Sequence, residues 1–454
     1  MNNAPSIPLF RTIEGVKYLF LAVLAIVFLV ELGLSLHWRM VSDNAFLHYV
    51  AYLINEHGFV PYRDIFEVNM PGTYLFHMAI GRLFGYSDFA FHMVDIAWLT
   101  ATLTVTWLIM KPFGRVVASA GSLLFGLIYL HYGPHMSLQR DVIAILPIAT
   151  AILLATRRRL DHSINLVHFL VGVLFALAAL IKPHIAIGLP AVILYNCIHD
   201  TNGSKSVKTL IQPCIAGGSF ALVGFLLTLA IPLLWLWRIG ALESFWDVFS
   251  SYVPLYSQMS GDFQFWGTFY RVIYALRLYL EFGGFDILLM TSMFGVYFVL
   301  TKSMSAATKK RAILLFSLVV LYGMYAAIGG KLWTYHWMPY VYFASLGTAM
   351  VLFSPPSFEG LRRPIIFPLL VFIVAVTITG HPSRIAFEQL FYGKQPEPPM
   401  DGRVDKIATY LNEHLSPTDK VQPLDWISGA THAMLISKAV VATPYIRVVP
   451  FVNL

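Results

Sequence analysis

Charged side chains are scarce in this 454-residue sequence. Asp, Glu, Lys and Arg together supply 12% of it, against roughly 25% in a soluble domain, which excludes an ordinary water-soluble globule. Cysteine is nearly missing too. Cys197 and Cys214 are the two present; both sit in apolar segments, which makes a disulfide framework unlikely, and no metal-ligand spacing occurs. No internal repeat is visible, so the inverted halves of many secondary transporters are not indicated. What the sequence does have is apolar length: 57% hydrophobic residues, a mean hydropathy of +0.68, and runs of about 20 apolar residues over most of the chain, the length that crosses a bilayer as helix.

Eleven spans can be drawn, at residues 17–37, 90–110, 116–130, 142–155, 164–181, 185–198, 210–237, 285–301, 312–329, 338–353 and 364–380. The first apolar run is longer than the core of a signal peptide and no small-x-small cleavage site follows, so it is expected to be retained. Basic residues orient the drawing. Fifteen of the 31 Lys and Arg fall at the N-terminal flank and in five short loops on one side, including "ATRRRL", "ATKKR" and "GLRRP"; nine fall in the longer loops opposite. Positive loops stay cytoplasmic, which predicts residue 1 inside and the tail outside. The net charge of +7 is therefore a topology signal and no sign of nucleic acid. Residues 73–84, "TYLFHMAIGRLF", are too short to span comfortably and read as a helix lying in the outer interface.

The acids are as lopsided as the bases. Before the tail, four lie on the cytoplasmic side and thirteen in or near the external loops. The topology rule says little about acids, so the surplus points to chemistry on the outer face. The chain divides into a membrane domain, residues 1–380, and a small extracytoplasmic segment, residues 381–454. That segment opens with the Pro-rich linker "GKQPEPPMDG" and is expected to hold a helix at 404–414 and a strand near 420–423, a partial α/β cap.

A long first external loop, an Asp just beyond the first span, and then "FEVNMPGTYLFHMAIGRLFG" and "LFGYSDFAFHMVD" resemble the GT-C glycosyltransferases. The branch is that of the protein O-mannosyltransferases, the aminoarabinose transferase acting on lipid A, and the RgtA-like enzymes. "LQRDVIAILPIATAILLA", the Lys-Pro turn of "ALAALIKPHIAIGLPAVIL", "TYHWMPYVYFASLG" and "IATYLNEHLSPTDKVQPLDW" follow in the same order, so the resemblance covers most of the chain. It implies an all-α polytopic GT-C fold in a bacterial inner membrane. It also implies transfer of a sugar from a polyprenyl-phosphate donor to an envelope glycan, lipid or protein acceptor on the outer face. Such transfer needs a carboxylate base for a weakly nucleophilic hydroxyl and cations for the phosphate leaving group. Enzymes of this class invert, so no second carboxylate nucleophile is required.

Asp43, in "SDNAF", matches the first-loop Asp and is the candidate base; capping of the following helix by Ser42 or Asp43 is the plain alternative. Asn44 stands where many relatives have a second acid, which weakens a metal site there, although a divalent metal is compatible with the class. Asp141 matches the second-loop acid; its alternatives are an ion pair with Arg140 or a helix cap. Glu67 is a third acidic candidate. Asn69 and Met70 replace the Lys that relatives place near Pro71, so the phosphate contact is expected from Lys182 and Arg63, with Arg140, Lys331, His336, Arg271 and Arg277 as further candidates. Lys182 could instead be a snorkelling anchor, and His336 part of an aromatic belt.

A flippase or transporter for lipid-linked sugars, or a structural subunit of an envelope complex, is the alternative. Nearly charge-free span centres and acids gathered at one face favour surface chemistry over passage. The orientation is open to test: a reporter that fluoresces only in the cytoplasm, fused after Leu454, is expected to stay dark.

Overall fold

Apolar segments of this length close their backbone hydrogen bonds within themselves, since hydrocarbon offers no other partner. The computed structural model describes residues 9–157, 164–200, 207–260, 263–264, 268–281, 285–353, 388, 390–393, 402–424 and 429–446, and ten of the eleven segments drawn as spans fall on helices in it. The eleventh, 364–380, lies outside the described residues, as does most of the Pro-rich linker. Helix α1 (Leu9–Ser35) leads into two shorter helices, α2 (Asp43–His57) and α3 (Pro71–Phe84), the second at the place read as an interface helix. Then come α4 (Asp88–Met110), α5 (Arg115–His131), the single turn α6 (Arg140–Ile143), α7 (Ile145–Thr156), α8 (Ile164–Ala179), α9 (Leu189–Asp200) and α10 (Val207–Arg238). The loop after α10 holds α11 (Leu242–Asp247), α12 (Val253–Tyr256), a two-residue hairpin and α13 (Thr268–Glu281); α14 (Phe285–Leu300), α15 (Ala306–Gly329) and α16 (Met338–Ala349) close the bundle.

Among the described residues, four helices are long and apolar enough to cross a membrane: Lys17–Ser35, Asp88–Phe113, Ile211–Arg238 and Ala306–Gly329. Four shorter apolar helices accompany them. Residues 142–155 run through α6 and α7, which join at Ala144 in helical conformation, and α16 is buried in protein along its whole length. A hydropathy run of 12 residues marks burial in a core as readily as burial in lipid.

Helices pack α8 along α10, α14 and α15 on α16, and α1 and α4 on α5. Small residues let them close up: a Cβ at Gly172 would collide with the Ala221 carbonyl, so α8 meets α10 backbone to backbone. Hydroxyls join other pairs, Thr291 to Thr348 at 2.7 Å and Thr106 to Tyr342 at 2.9 Å. A glycine also sets the loop that matters most. A Cβ on Gly72 would lie 2.5 Å from the Leu180 oxygen, to which the Gly72 amide donates at 3.0 Å. The Met70-Pro71-Gly72 corner is thereby pinned against the turn that carries Lys182.

The described part of the C-terminal segment comprises α17 (Arg403–His414), α18 (Ala430–Ser437) and two-residue strands Lys420–Val421 and Val440–Val441, paired in parallel. Helix α18 has no counterpart in the sequence reading. It packs on α2, where Tyr49 Oη donates to the Ala439 carbonyl at 2.8 Å, and Phe66 N donates to the Pro444 carbonyl at 2.9 Å. Arg39 fastens the junction: Nε lies 2.9 Å from Asp88 and Nη1 2.7 Å from Asp405, while His432 Nε2 lies 3.0 Å from the other Asp88 oxygen. The Arg39 side chain is buried and bonds two carboxylates, so truncation would remove both charged contacts at once. Arg39→Ala is expected to weaken the docking by about 1.5–3 kcal/mol, visible as faster protease cleavage after α17 with the membrane helices intact.

Candidate active site

Two strained turns deliver the site. Ser42, just before α2, has φ +49°, and Leu138, just before α6, has φ +45°. Both are unfavourable for residues with a Cβ and tend to be kept where surrounding contacts over-determine them. The Leu138 amide donates to Asp95 Oδ1 at 3.1 Å; Tyr129 Oη bonds the same oxygen, and His92 Nδ1 lies 3.3 Å from Oδ2. Asp95, one of the surplus external acids, is thus spent on holding this turn. Ser42 makes no capping bond, and the Asp43 carboxylate faces another way.

It faces Arg140. Arg140 Nη2 donates to Asp43 Oδ2 at 2.6 Å and to Tyr335 Oη at 3.2 Å, and Tyr335 Oη donates to Asp43 Oδ2 at 3.3 Å. Arg140 Nη1 donates to Asn69 Oδ1. Asn69 is itself held: its side-chain amide donates to Glu67 Oε2 at 2.5 Å, an oxygen that also takes the Tyr74 hydroxyl at 2.6 Å and the Val68 and Asn69 amides. Glu67 is buried and acts as the anchor of this corner.

Asp141 turns away from Arg140 to a second cluster. Lys182 Nζ lies 2.6 Å from Asp141 Oδ2 and 2.6 Å from His336 Nδ1, and Tyr325 Oη donates to Asp141 Oδ1 at 2.6 Å. His336 Nδ1 faces both the Lys182 ammonium and, at 3.2 Å, Asp141 Oδ2, so the ring closes a triangle with the ion pair. Burial alone would raise the Asp141 carboxyl, but the Lys182 ammonium and His336 outweigh it and hold it well below the usual carboxylate range. Burial lowers Lys182; Asp141 opposes this without cancelling it, leaving the amine at about 8. Burial likewise, with Lys182 beside it, pushes His336 down to about 4. For Arg140 burial works against the charge, but Asp43 and its other neighbours more than restore it, so the guanidinium stays charged.

A cavity of about 300 Å³ lies against these clusters, lined by Arg140, Lys182, Lys331, His336, Tyr335 and Asn69 among others. Lys331 Nζ stands 3.6 Å over the Tyr256 ring on its far side, and the Lys182 ammonium is 5.3 Å from the Tyr335 ring. Helices α6, α12 and α15, the Lys182 turn and the 3-10 turn Thr334–Trp337 meet here. The charged side chains of the lining are all cationic, and the carboxylates Asp43, Asp141 and Glu67 stand one bond behind it.

No protein-family model matches the sequence, and no curated protein does. Solved structures do. ArnT from Cupriavidus metallidurans bound to undecaprenyl phosphate superposes with a TM-score of 0.58, over 94% of this chain and 85% of its own, at 14% identity. The apo form of the same enzyme gives 0.58, over 95% and 87%, at 12% identity. The chain shares the fold of these ArnT structures. At so low an identity the likeness establishes architecture, and the chemistry has to come from the side chains of this chain.

Within this fold the sequence-named residues separate clearly. Asp43, Arg140, Asp141, Lys182 and His336 form the paired clusters, and Lys331 joins them across the cavity. Arg63, expected to assist Lys182, does not line it: half exposed, it forks onto Asp64 at 2.8 and 2.9 Å. Arg271 packs against Gly330 outside the lining. The Arg140–Asp141 pair weighed from sequence does not form, because each reaches a different partner. Tyr325, Tyr335 and Asn69 were not singled out as site residues; Tyr335 adjoins His336 in "TYHW", and Asn69 holds the place where relatives carry a Lys. The donor set does not suit a divalent cation: no three His, Cys, Asp or Glu side chains converge among the described residues, and both carboxylates are already met by organic cations.

The geometry also revises Lys182. A snorkelling or purely phosphate-binding Lys could be truncated without harm to folding. Here Lys182→Ala would leave Asp141 buried without its main counter-ion, a loss of about 3–5 kcal/mol. The pair Lys182→Gln with Asp141→Asn is expected to recover most of that in thermal unfolding in detergent, without recovering activity.

Proposed function

We propose that this chain is an integral-membrane glycosyltransferase that moves a sugar from a polyprenyl-phosphate carrier to a hydroxyl acceptor on the outer face of a bacterial inner membrane, with inversion and with Asp43 as base. The carrying observation is the cationic cavity formed by Arg140, Lys182 and Lys331, with a carboxylate bonded directly behind its wall. The ArnT fold, known bound to undecaprenyl phosphate, supports the donor class. The basic-loop count supports the orientation.

The side chains supply the required parts. Lys182 and Lys331 offer ammonium groups to the phosphate, and Arg140 offers a planar guanidinium suited to two phosphate oxygens at once. The acceptor oxygen attacks the anomeric carbon while its proton passes to Asp43. The bond from that carbon to the phosphate oxygen breaks, its electron pair stays on the phosphate, and the carrier leaves as a monophosphate whose growing charge the cations receive. Asp141 keeps Lys182 in place for this. It is a positioning residue, and the outer-face acids that remain, such as Asp88 and Asp95, serve the fold.

The test is a comparison of envelope glycans and lipids by mass spectrometry in cells lacking the protein, cells with the parent, and cells with Asp43→Asn. A defined sugar mass present only with the parent names donor and acceptor together. In purified protein, Asp43→Asn is expected to lower transfer about 10²–10⁴-fold with folding retained. Parent-like transfer by that variant would move the base elsewhere.

A further inference from the structure

We infer that Arg140 is a shared cation, bound to Asp43 while the carrier is absent and drawn to the phosphate when the donor arrives, so that the donor itself releases the base. This rests on the proposed function and adds the regulation of that site.

The starting point is a conflict in the geometry. A carboxylate held by a guanidinium is a weak base, because the cation stabilises its ionised form. Asp43 accepts from Arg140 at 2.6 Å, the arrangement least useful for taking a proton. Arg140 nevertheless lines the cavity, whereas Asp43 is not among the lining residues. The guanidinium therefore separates the cavity from the base. Its Nε is buried with no hydrogen-bond partner, so it can offer a further donor as soon as an anion enters.

The surroundings fit a short swing. Nη1 is fixed to Asn69, and Asn69 to Glu67 and Tyr74, so the head group can turn about that bond while remaining at the wall. Tyr335 Oη accepts from Arg140 at 3.2 Å and donates to Asp43 at 3.3 Å. After Arg140 turns, the hydroxyl still orients the carboxylate, which makes Tyr335 a positioning residue. The same movement couples the two ends of the reaction. As the phosphate gains charge it pulls Arg140 harder, and Asp43 becomes more basic just when the acceptor proton needs a home. Before the donor binds, the paired Asp43 is kept from futile proton exchange.

The consequence is counterintuitive: removing the base should improve carrier binding, because Arg140 no longer has to be taken from it. Undecaprenyl phosphate is titrated onto the full-length protein in nanodiscs, followed by tryptophan fluorescence, with a thermal unfolding curve for every variant. The parent is expected to bind; failure to bind would sink the proposed function itself. Given binding, Asp43→Asn is expected to tighten it about tenfold or more, and to have no effect in an Arg140→Gln background. No tightening overturns the inference, and so does equal tightening in both backgrounds, which is simple relief of charge repulsion. Should Asp43→Asn fail to fold, the parent decides. Undecaprenyl phosphate is expected to raise carbodiimide labelling of Asp43, mapped by peptide mass spectrometry, and unchanged or reduced labelling overturns the inference.

Discussion

Arg140 and Asp141 are neighbours in the chain that part company in space, and much of the site depends on that divergence. Arg140 reaches Asp43 on the first loop, and Asp141 reaches Lys182 on the turn between α8 and α9. One turn of helix thus ties two distant parts of the sequence to the same cavity. Were the two residues paired with each other, their charges would cancel locally and leave Asp43 and Lys182 buried without their counter-ions, which a low-dielectric interior penalises.

Around this crossing the rest of the structure serves to hold backbone. Asp95, Tyr129 and His92 hold the Leu138 turn that aims α6. Gly72 brings the first loop onto Leu180, so that Asn69 and Lys182 share one cavity. The C-terminal segment reinforces α2 from behind through Arg39, Asp88 and Asp405. Three cations, Arg140, Lys182 and Lys331, line the cavity itself, while the carboxylates Asp43, Asp141 and Glu67 stand behind its wall. A cavity so composed favours an anion whose charge grows during reaction.

The membrane class, the places of most helices and most of the charged residues that gather at the cavity were legible in the sequence. Long apolar runs have one stable outcome in lipid, and charged residues at the ends of such runs are rare enough to be conspicuous. Glu67 was legible as an unusual acid but not as a scaffold, since its partners are amides and a hydroxyl in its own corner.

What the sequence by itself determined is therefore the solvent, the helical class and the residues able to carry charge at a membrane surface. Those follow from composition and run length, which act locally. Only the tertiary structure decided which acid meets which base, that Arg63 stands outside the cavity, and that Tyr335 and Asn69 belong to it. Partner choice in the site is a matter of a few ångströms between segments up to about three hundred residues apart, as between Asp43 and Tyr335. Packing sets such distances, and no local pattern in the chain encodes them.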